Sequence, residues 1–175
     1  GVPLYASTPA LHDEMTGVSG SFEETIEGLN RLYTAGEHIE LRIVLTAINL
    51  PYLSALAEFI CKNYPNVYVV SLMGMEMMGN AFVNRKRTWI PYETILPILA
   101  EAVDTLVGGG VQTQIYNMPL CKVARRHWSL CRKSISVEKV SFAAECETCV
   151  MRGICGGFFI TNLYIPGVSA TPIRE

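Results

Sequence analysis

Six cysteines are the residues best equipped for chemistry, and four of them are grouped. Cys146, Cys149 and Cys155 make a C-x2-C-x5-C run, and Cys121 stands upstream in Asn117-Met118-Pro119-Leu120-Cys121. Closely spaced thiolates repel one another and are costly to desolvate, so such a group persists where a soft cation holds it. Gly153, Gly156 and Gly157 lie between and after these thiols, where they let the backbone turn sharply and come close to sulfur. Two kinds of centre fit. Zinc would take four thiolates tetrahedrally and act as a staple. An iron–sulfur cluster would take the same four and could also carry electrons. The spacing alone does not choose between them. A disulfide framework fits less well, because nothing in the chain looks secretory and short thiol spacings outside secreted proteins serve metals or catalysis.

The totals bound what carries these thiols. A chain of 175 residues fits one domain, or a domain with a small appendage. Half of its residues are hydrophobic and 17% are charged, which supports a substantial core and argues against disorder. A net charge of −2 gives no general attraction to nucleic acid or to an anionic membrane. No apolar run is long enough to span a bilayer and no basic-then-apolar leader is present, so a cytoplasmic protein is expected. The chain opens at Gly1 on what reads as a strand already under way, which makes it the expected C-terminal part of something longer.

Residues 2–7 alternate as a short strand, with Val2, Leu4 and Ala6 on one face. Residues 8–21 read as a loop containing His12-Asp13, and Ser21-Phe22-Glu23-Glu24 as a capping box. The helix it opens carries Phe22, Ile26, Leu29 and Tyr33 on one face and stops at Gly36. Residues 41–48 are almost wholly apolar, as in a strand covered on both faces, with Arg42 the exception. Asn49 and Pro51 lead into a second helix burying Leu53, Leu56, Ile60 and Cys61. A third strand at 67–73 runs into a long loop, 74–88, rich in Met at its start and basic at Arg85-Lys86-Arg87. Pro91 begins a third helix with Ile95, Leu99, Val103 and Leu106 inward, ended by Gly108-Gly109-Gly110, and 111–116 is a fourth strand. Strand and helix alternate in this way in parallel βαβ units, whose ligands sit beyond the C-terminal ends of the strands. Those ends carry Ser7, Thr46 to Asn49, and Ser71 to Glu76. Alternation stops near residue 117, so residues 1–116 and 117–175 are the expected domains.

Several of these segments together resemble the radical S-adenosylmethionine (SAM) enzymes. They are Leu11-His12-Asp13-Glu14-Met15-Thr16-Gly17 with Gly20-Ser21-Phe22-Glu23 after it, the strand Leu41-Arg42-Ile43-Val44-Leu45-Thr46 with Asn49, and the terminal cysteines. The tail is similar to the auxiliary iron–sulfur domain (SPASM or twitch type) of peptide-modifying members. In particular, Tyr116-Asn117-Met118-Pro119-Leu120-Cys121, Glu145-Cys146-Glu147-Thr148-Cys149 and Cys155-Gly156-Gly157-Phe158-Phe159 resemble the His-Xaa-Ser system radical SAM maturase, C component. The resemblance implies the C-terminal half of a (β/α) TIM-type partial barrel followed by a cysteine-rich tail holding an auxiliary 4Fe–4S cluster. It implies SAM as the cofactor of the full-length enzyme, a peptide or small protein with His-Xaa-Ser repeats as substrate, and the missing N-terminal half or a second maturase as partner. Two departures stand out. The C-x3-C-x2-C that holds the SAM-cleaving cluster is absent from this chain, so no catalytic residue is assigned and the fragment is expected to be inactive alone. Phe159 stands where many such tails have a further Cys, so the fourth ligand is expected from Cys121, with Cys131 in reserve.

Each of the remaining candidates has two readings. Arg42, expected in a buried strand, needs an anion: either a structural carboxylate such as Glu76, or the carboxylate of SAM as the resemblance implies. Ser7 and Asn49 are a strand-end hydroxyl and a turn residue, or holders of the methionine end of SAM by the same resemblance. Met73, first of a run through Met78, lines an adenine or peptide pocket, or simply packs. Arg125, Arg126, His127 and Trp128 form a solvated basic turn, or a dock for an acidic peptide. An open half barrel also exposes an edge at its first strand, which predicts a missing segment, a second chain or poor solubility.

Overall fold

The computed structural model describes residues 1–174. The chain is an α/β protein built on a five-stranded, wholly parallel sheet in the order β1-β2-β3-β4-β5. The strands are β1 (Val2–Pro3), β2 (Glu40–Val44), β3 (Val69–Met73), β4 (Thr113–Tyr116) and β5 (Cys131–Arg132). Strands laid down in chain order without reversal are joined by crossovers of one hand, which puts the helices on one face. Here α2 (Ser21–Thr34), α3 (Leu53–Asn63) and α6 (Tyr92–Gly108) share one core with the sheet. Leu29, Leu56, Ile60, Leu99 and Leu106 meet Leu4, Leu41, Ile43, Val70, Leu72 and Ile115 there. This architecture matches a partial barrel. No helix among the described residues is long and apolar enough to cross a membrane.

Among the described residues no helix packs on the opposite face of the sheet, and this changes the reading of β2. Leu41, Ile43 and Leu45 are buried while Arg42 between them is exposed, so the strand is covered on one face only. Parallel register puts Pro3, Arg42, Ser71 and Gln114 in one row across that second face. Val44, Met73, Tyr116 and Arg132 form the next row.

Residues 8–21 hold a helix rather than a loop. α1 (Pro9–Thr16) begins with Pro at its first position and ends at Gly17 in the left-handed region, φ 73°. Its two turns are too short for an apolar period to announce it. The capping box also forms differently. The N-cap of α2 is Gly20, and Ser21 turns its hydroxyl to Asp13 at 2.9 Å. The Asp13 carboxylate accepts the N–H groups of Gly20 (2.6 Å) and Phe22 (2.9 Å), so α1 caps α2. The stretch 74–88 likewise contains two short helices, α4 (Gly79–Val83) and α5 (Arg85–Thr88). Beyond residue 117 the sheet continues, because β5 pairs with β4 through Ile115 opposite Cys131 and Tyr116 opposite Arg132. A small antiparallel sheet of β6 (Val140–Ser141) and β7 (Phe158–Phe159), followed by α7 (Ile160–Leu163), completes the tail.

The Asp13 cap has a testable consequence. Hydrogen bonds from the backbone of Gly20 and Phe22 hold the Asp13 carboxyl below its ordinary 3.8. A depressed carboxyl contributes stability above its unfolded pKa and loses it as pH falls through the folded value. Asp13→Asn should therefore melt at a lower temperature than the parent at neutral pH, and the gap should close as pH falls below the ordinary 3.8 and through the folded value. Thermal melts of both proteins across pH 2.5–7 check this.

Candidate functional site

The grouped cysteines come together. Cys121, Cys146, Cys149 and Cys155 line one small, nearly filled cavity of about 10 Å³, together with Phe142, Phe158 and residues 170–173. Short turns deliver them. Cys146 N–H bonds Ala143 O, Cys149 N–H bonds Cys146 O, and Cys155 N–H bonds Met151 O, so the run coils tightly around the space. The turn carrying Cys121 is fixed from outside, since the Trp128 indole N–H donates to the carbonyls of Leu120 (3.0 Å) and Val123 (3.1 Å).

Backbone donors point at the sulfurs. Cys155 Sγ accepts the N–H groups of Leu120 (3.3 Å) and Gly157 (3.4 Å), and Cys149 Sγ accepts that of Ile173 (3.4 Å). Gly157 reaches this geometry at φ 70°, where an added Cβ would stand 2.7 Å from Val140. Burial pushes the Cys121 thiol up, opposed by a hydrogen bond from the Thr171 backbone and reinforced by nearby Cys155 and Cys149. Burial raises Cys146 as well, with Cys121, Cys155 and Cys149 adding to the shift. The four thiols thus sense one another in a largely apolar pocket whose N–H groups favour the charged sulfur. A bound cation would resolve that conflict.

Among the described residues, no three Cys, His, Asp or Glu side chains converge on a point where a single ion would sit. Cys131 does not line the cavity. It sits in β5, its thiol donates to the His127 carbonyl at 3.8 Å, and burial pushes it up to about 12. Cys61 is remote, bonded to Thr105 O at 3.6 Å.

A second feature lies on the helix-free face. A groove of about 530 Å³, open to solvent, is walled by Glu40, Arg42, Met73, Glu76, Tyr116 and Asn117 from the sheet side and by Ser134, Ser136, Lys139 and Phe159 from the tail. Arg42 is not buried: its side chain is 53% exposed and pairs with Glu40 at 2.7 Å. Residues two apart on a strand share a face, so Glu40 reaches Arg42 before Glu76 can. Glu76 instead pairs with Lys139 at 2.8 Å. Arg42 holds the Glu40 carboxyl below its usual range, helped by the Ser71 hydroxyl at 2.7 Å. The groove therefore offers cations and anions side by side, already paired and ready to exchange partners.

Ser7 and Asn49 do not line this groove. Ser7 is half-buried just past β1. Asn49 is buried and its amide is fully engaged. Its Oδ1 accepts Thr46 N–H (2.8 Å) and the Thr46 hydroxyl (3.0 Å), while Nδ2 donates to Tyr5 O (3.2 Å) and Val44 O (3.0 Å). It straps the ends of β1 and β2 together. His12 is buried, accepting Tyr5 N–H on Nδ1 at 3.3 Å, so the His12-Asp13 pair is spent on structure. The basic turn at 125–128 is not simply solvated. Arg126 and His127 both engage Asp104, and His127 is buried.

Two residues escaped the sequence reading. Asn117, at φ 59°, donates to Gly74 O (3.4 Å) and takes the Ser134 hydroxyl on Oδ1 (2.9 Å), joining β3, β4 and the tail. Gly74 must be glycine there, since a Cβ would fall 2.4 Å from Asn117 O. Asn162 reaches back from α7 to the loop after β3. The Asn-Met-Pro context hinted at a turn at Asn117, but nothing local marks Asn162.

Comparison with known proteins adds one partial likeness. Over 53 residues the chain is 38% identical to the AdoMet-dependent heme synthase of Oleidesulfovibrio alaskensis, a match covering 30% of this chain and 13% of that protein. No family model matches the chain, and no solved structure matches it. The match supports a relationship to radical SAM enzymes in general and does not reach the His-Xaa-Ser maturase.

Proposed function

We propose that this chain is the ligand-groove and auxiliary-cluster portion of a radical SAM enzyme that modifies a peptide. The observation that carries the reading is the convergence of Cys121, Cys146, Cys149 and Cys155 on one cavity beside a singly wound parallel sheet. Four thiols lining one cavity are a donor set that iron and sulfide or zinc can take, and the sequence resemblance favours iron and sulfide. The N–H groups of Leu120, Gly157 and Ile173 lie against Cys155 and Cys149, where hydrogen bonding to sulfur tunes a cluster's potential.

When bound, a 4Fe–4S cluster there would supply an electron acceptor or a fixed point for substrate. This chain's own residues bind and orient. Arg42 would leave Glu40 to meet the carboxylate of SAM, while Met73 offers an adaptable apolar contact and Glu76 an acceptor. Asn49, with Ser7 near it, would act through the strand ends it ties rather than by touching the cofactor. The tail-side wall, with Ser134, Ser136 and Lys139, would take the peptide. A His-Xaa-Ser peptide is the substrate the sequence resemblance supports, and a protein segment carrying C-x3-C-x2-C is the partner the chemistry requires.

Two measurements test this. Anaerobic reconstitution should give brown protein with about four irons and about four acid-labile sulfides per chain. Alanine at any of Cys121, Cys146, Cys149 or Cys155 should cut iron uptake by more than half, whereas Cys61→Ala and Cys131→Ala should not. Colourless protein holding about one zinc would instead mark a non-catalytic interaction domain with a structural staple. Calorimetric titration with SAM should show binding weakened about 10- to 100-fold in Arg42→Ala, as expected for losing a charged hydrogen bond. An unchanged affinity would remove Arg42 from the site.

A further inference from the structure

Asn162 is 1% exposed, and both ends of its amide reach a segment more than eighty residues away. Its Oδ1 accepts the Met77 N–H at 2.9 Å, and its Nδ2 donates to Met75 O at 2.9 Å. These two backbone groups flank Glu76, so one side chain grips both sides of a residue that walls the groove. A carboxamide offers an acceptor and donors in one plane and can stand in for a neighbouring strand. Nδ2 also donates to the Tyr92 hydroxyl at 3.1 Å.

Tyr92 connects this grip to the thiols. Its ring is buried and packs edge-on against Phe158, with centroids 5.6 Å apart. Phe158 lines the thiol cavity, and its neighbour Phe159 lines the groove. Helix α7, which carries Asn162, follows directly from these two residues. We propose that Asn162 is a positioning residue that sets Glu76 in the groove and, through Tyr92 and Phe158, ties the groove's shape to the packing of the thiol cavity. The functional meaning of this tie rests on reading the groove as a ligand site; the tie itself does not depend on a bound metal.

The test uses the whole chain, reduced and treated with chelator, with two readouts: hydrogen exchange of residues 75–78 and the rate at which iodoacetamide modifies Cys121 and Cys155. Asn162→Ala should speed exchange of residues 75–78 by about 10-fold or more, because a buried N–H and C=O lose their partners. Modification of the two thiols should rise several-fold in the same variant, while β2 and β3 keep their protection. Tyr92→Phe, which removes one of the three bonds, should move both readouts in the same direction by less. The proposal falls if Asn162→Ala leaves residues 75–78 unchanged, or if their exchange rises while the thiols react at the parental rate. Should Asn162→Ala lose protection throughout the sheet, Tyr92→Phe decides: the two readouts must move together. Iron uptake is not among these readouts, so a chain that bound no cluster would overturn the cluster reading and leave this one standing.

Discussion

Five parallel strands laid side by side in chain order, joined by crossovers of one hand, have room for helices on one face only. Everything distinctive about this molecule follows from that constraint. The apolar side chains of α2, α3 and α6 saturate one surface of the sheet and leave the other without a partner helix. A polar lining can be kept on that second surface because no hydrophobic layer presses on it. Glu40, Arg42 and Ser71 stand there in mutual contact, an arrangement too costly for the interior of a doubly covered sheet.

The tail closes one side of the open face. β5 extends the sheet, Asn117 in a left-handed turn brings the backbone within contact of Gly74, and Lys139 crosses to Glu76. The thiol cavity and the groove therefore share some of the segments that build them. Phe158 faces one and Phe159 the other, because successive residues of a strand point to opposite sides. A cluster in the cavity would stand close behind the groove's tail-side wall, which is the placement an electron-handling or substrate-positioning role asks of it.

The chemistry of the cavity is a contest between desolvation and hydrogen bonding. Burial and neighbouring thiols raise Cys121 and Cys146, while backbone N–H groups pull toward the charged form. Desolvation wins at both while the sulfurs face only each other. Cys131, in β5 and turned to the His127 carbonyl, rises to about 12 for the same reason, with Arg132 opposing.

Much of the architecture was legible in the sequence. Period-2 and period-3.6 patterns located β2, β3, β4 and the three long helices, because each buries a continuous stripe and apolar spacing records it, while the strand read at 2–7 pairs only over Val2–Pro3. Cys146, Cys149 and Cys155 were legible from spacing and glycine content, since short loops leave few other ways to place thiols, while Cys121 over Cys131 as the fourth lining the cavity was decided by the fold. What escaped was set by partners distant in the chain. α1 and its Asp13 cap are two turns held by hydrogen bonds to another helix. Arg42 reads as buried in a run of apolar residues, yet only the topology decides that its face of the sheet has no cover. Asn162 is one polar residue in a short helix, and its three bonds exist only because folding brings α7 against the loop after β3. Local pattern determined which elements form and which sulfurs stay near one another; the tertiary structure decided which side of the sheet stays open and which polar groups meet there, because those depend on contacts between residues that sequence spacing does not relate.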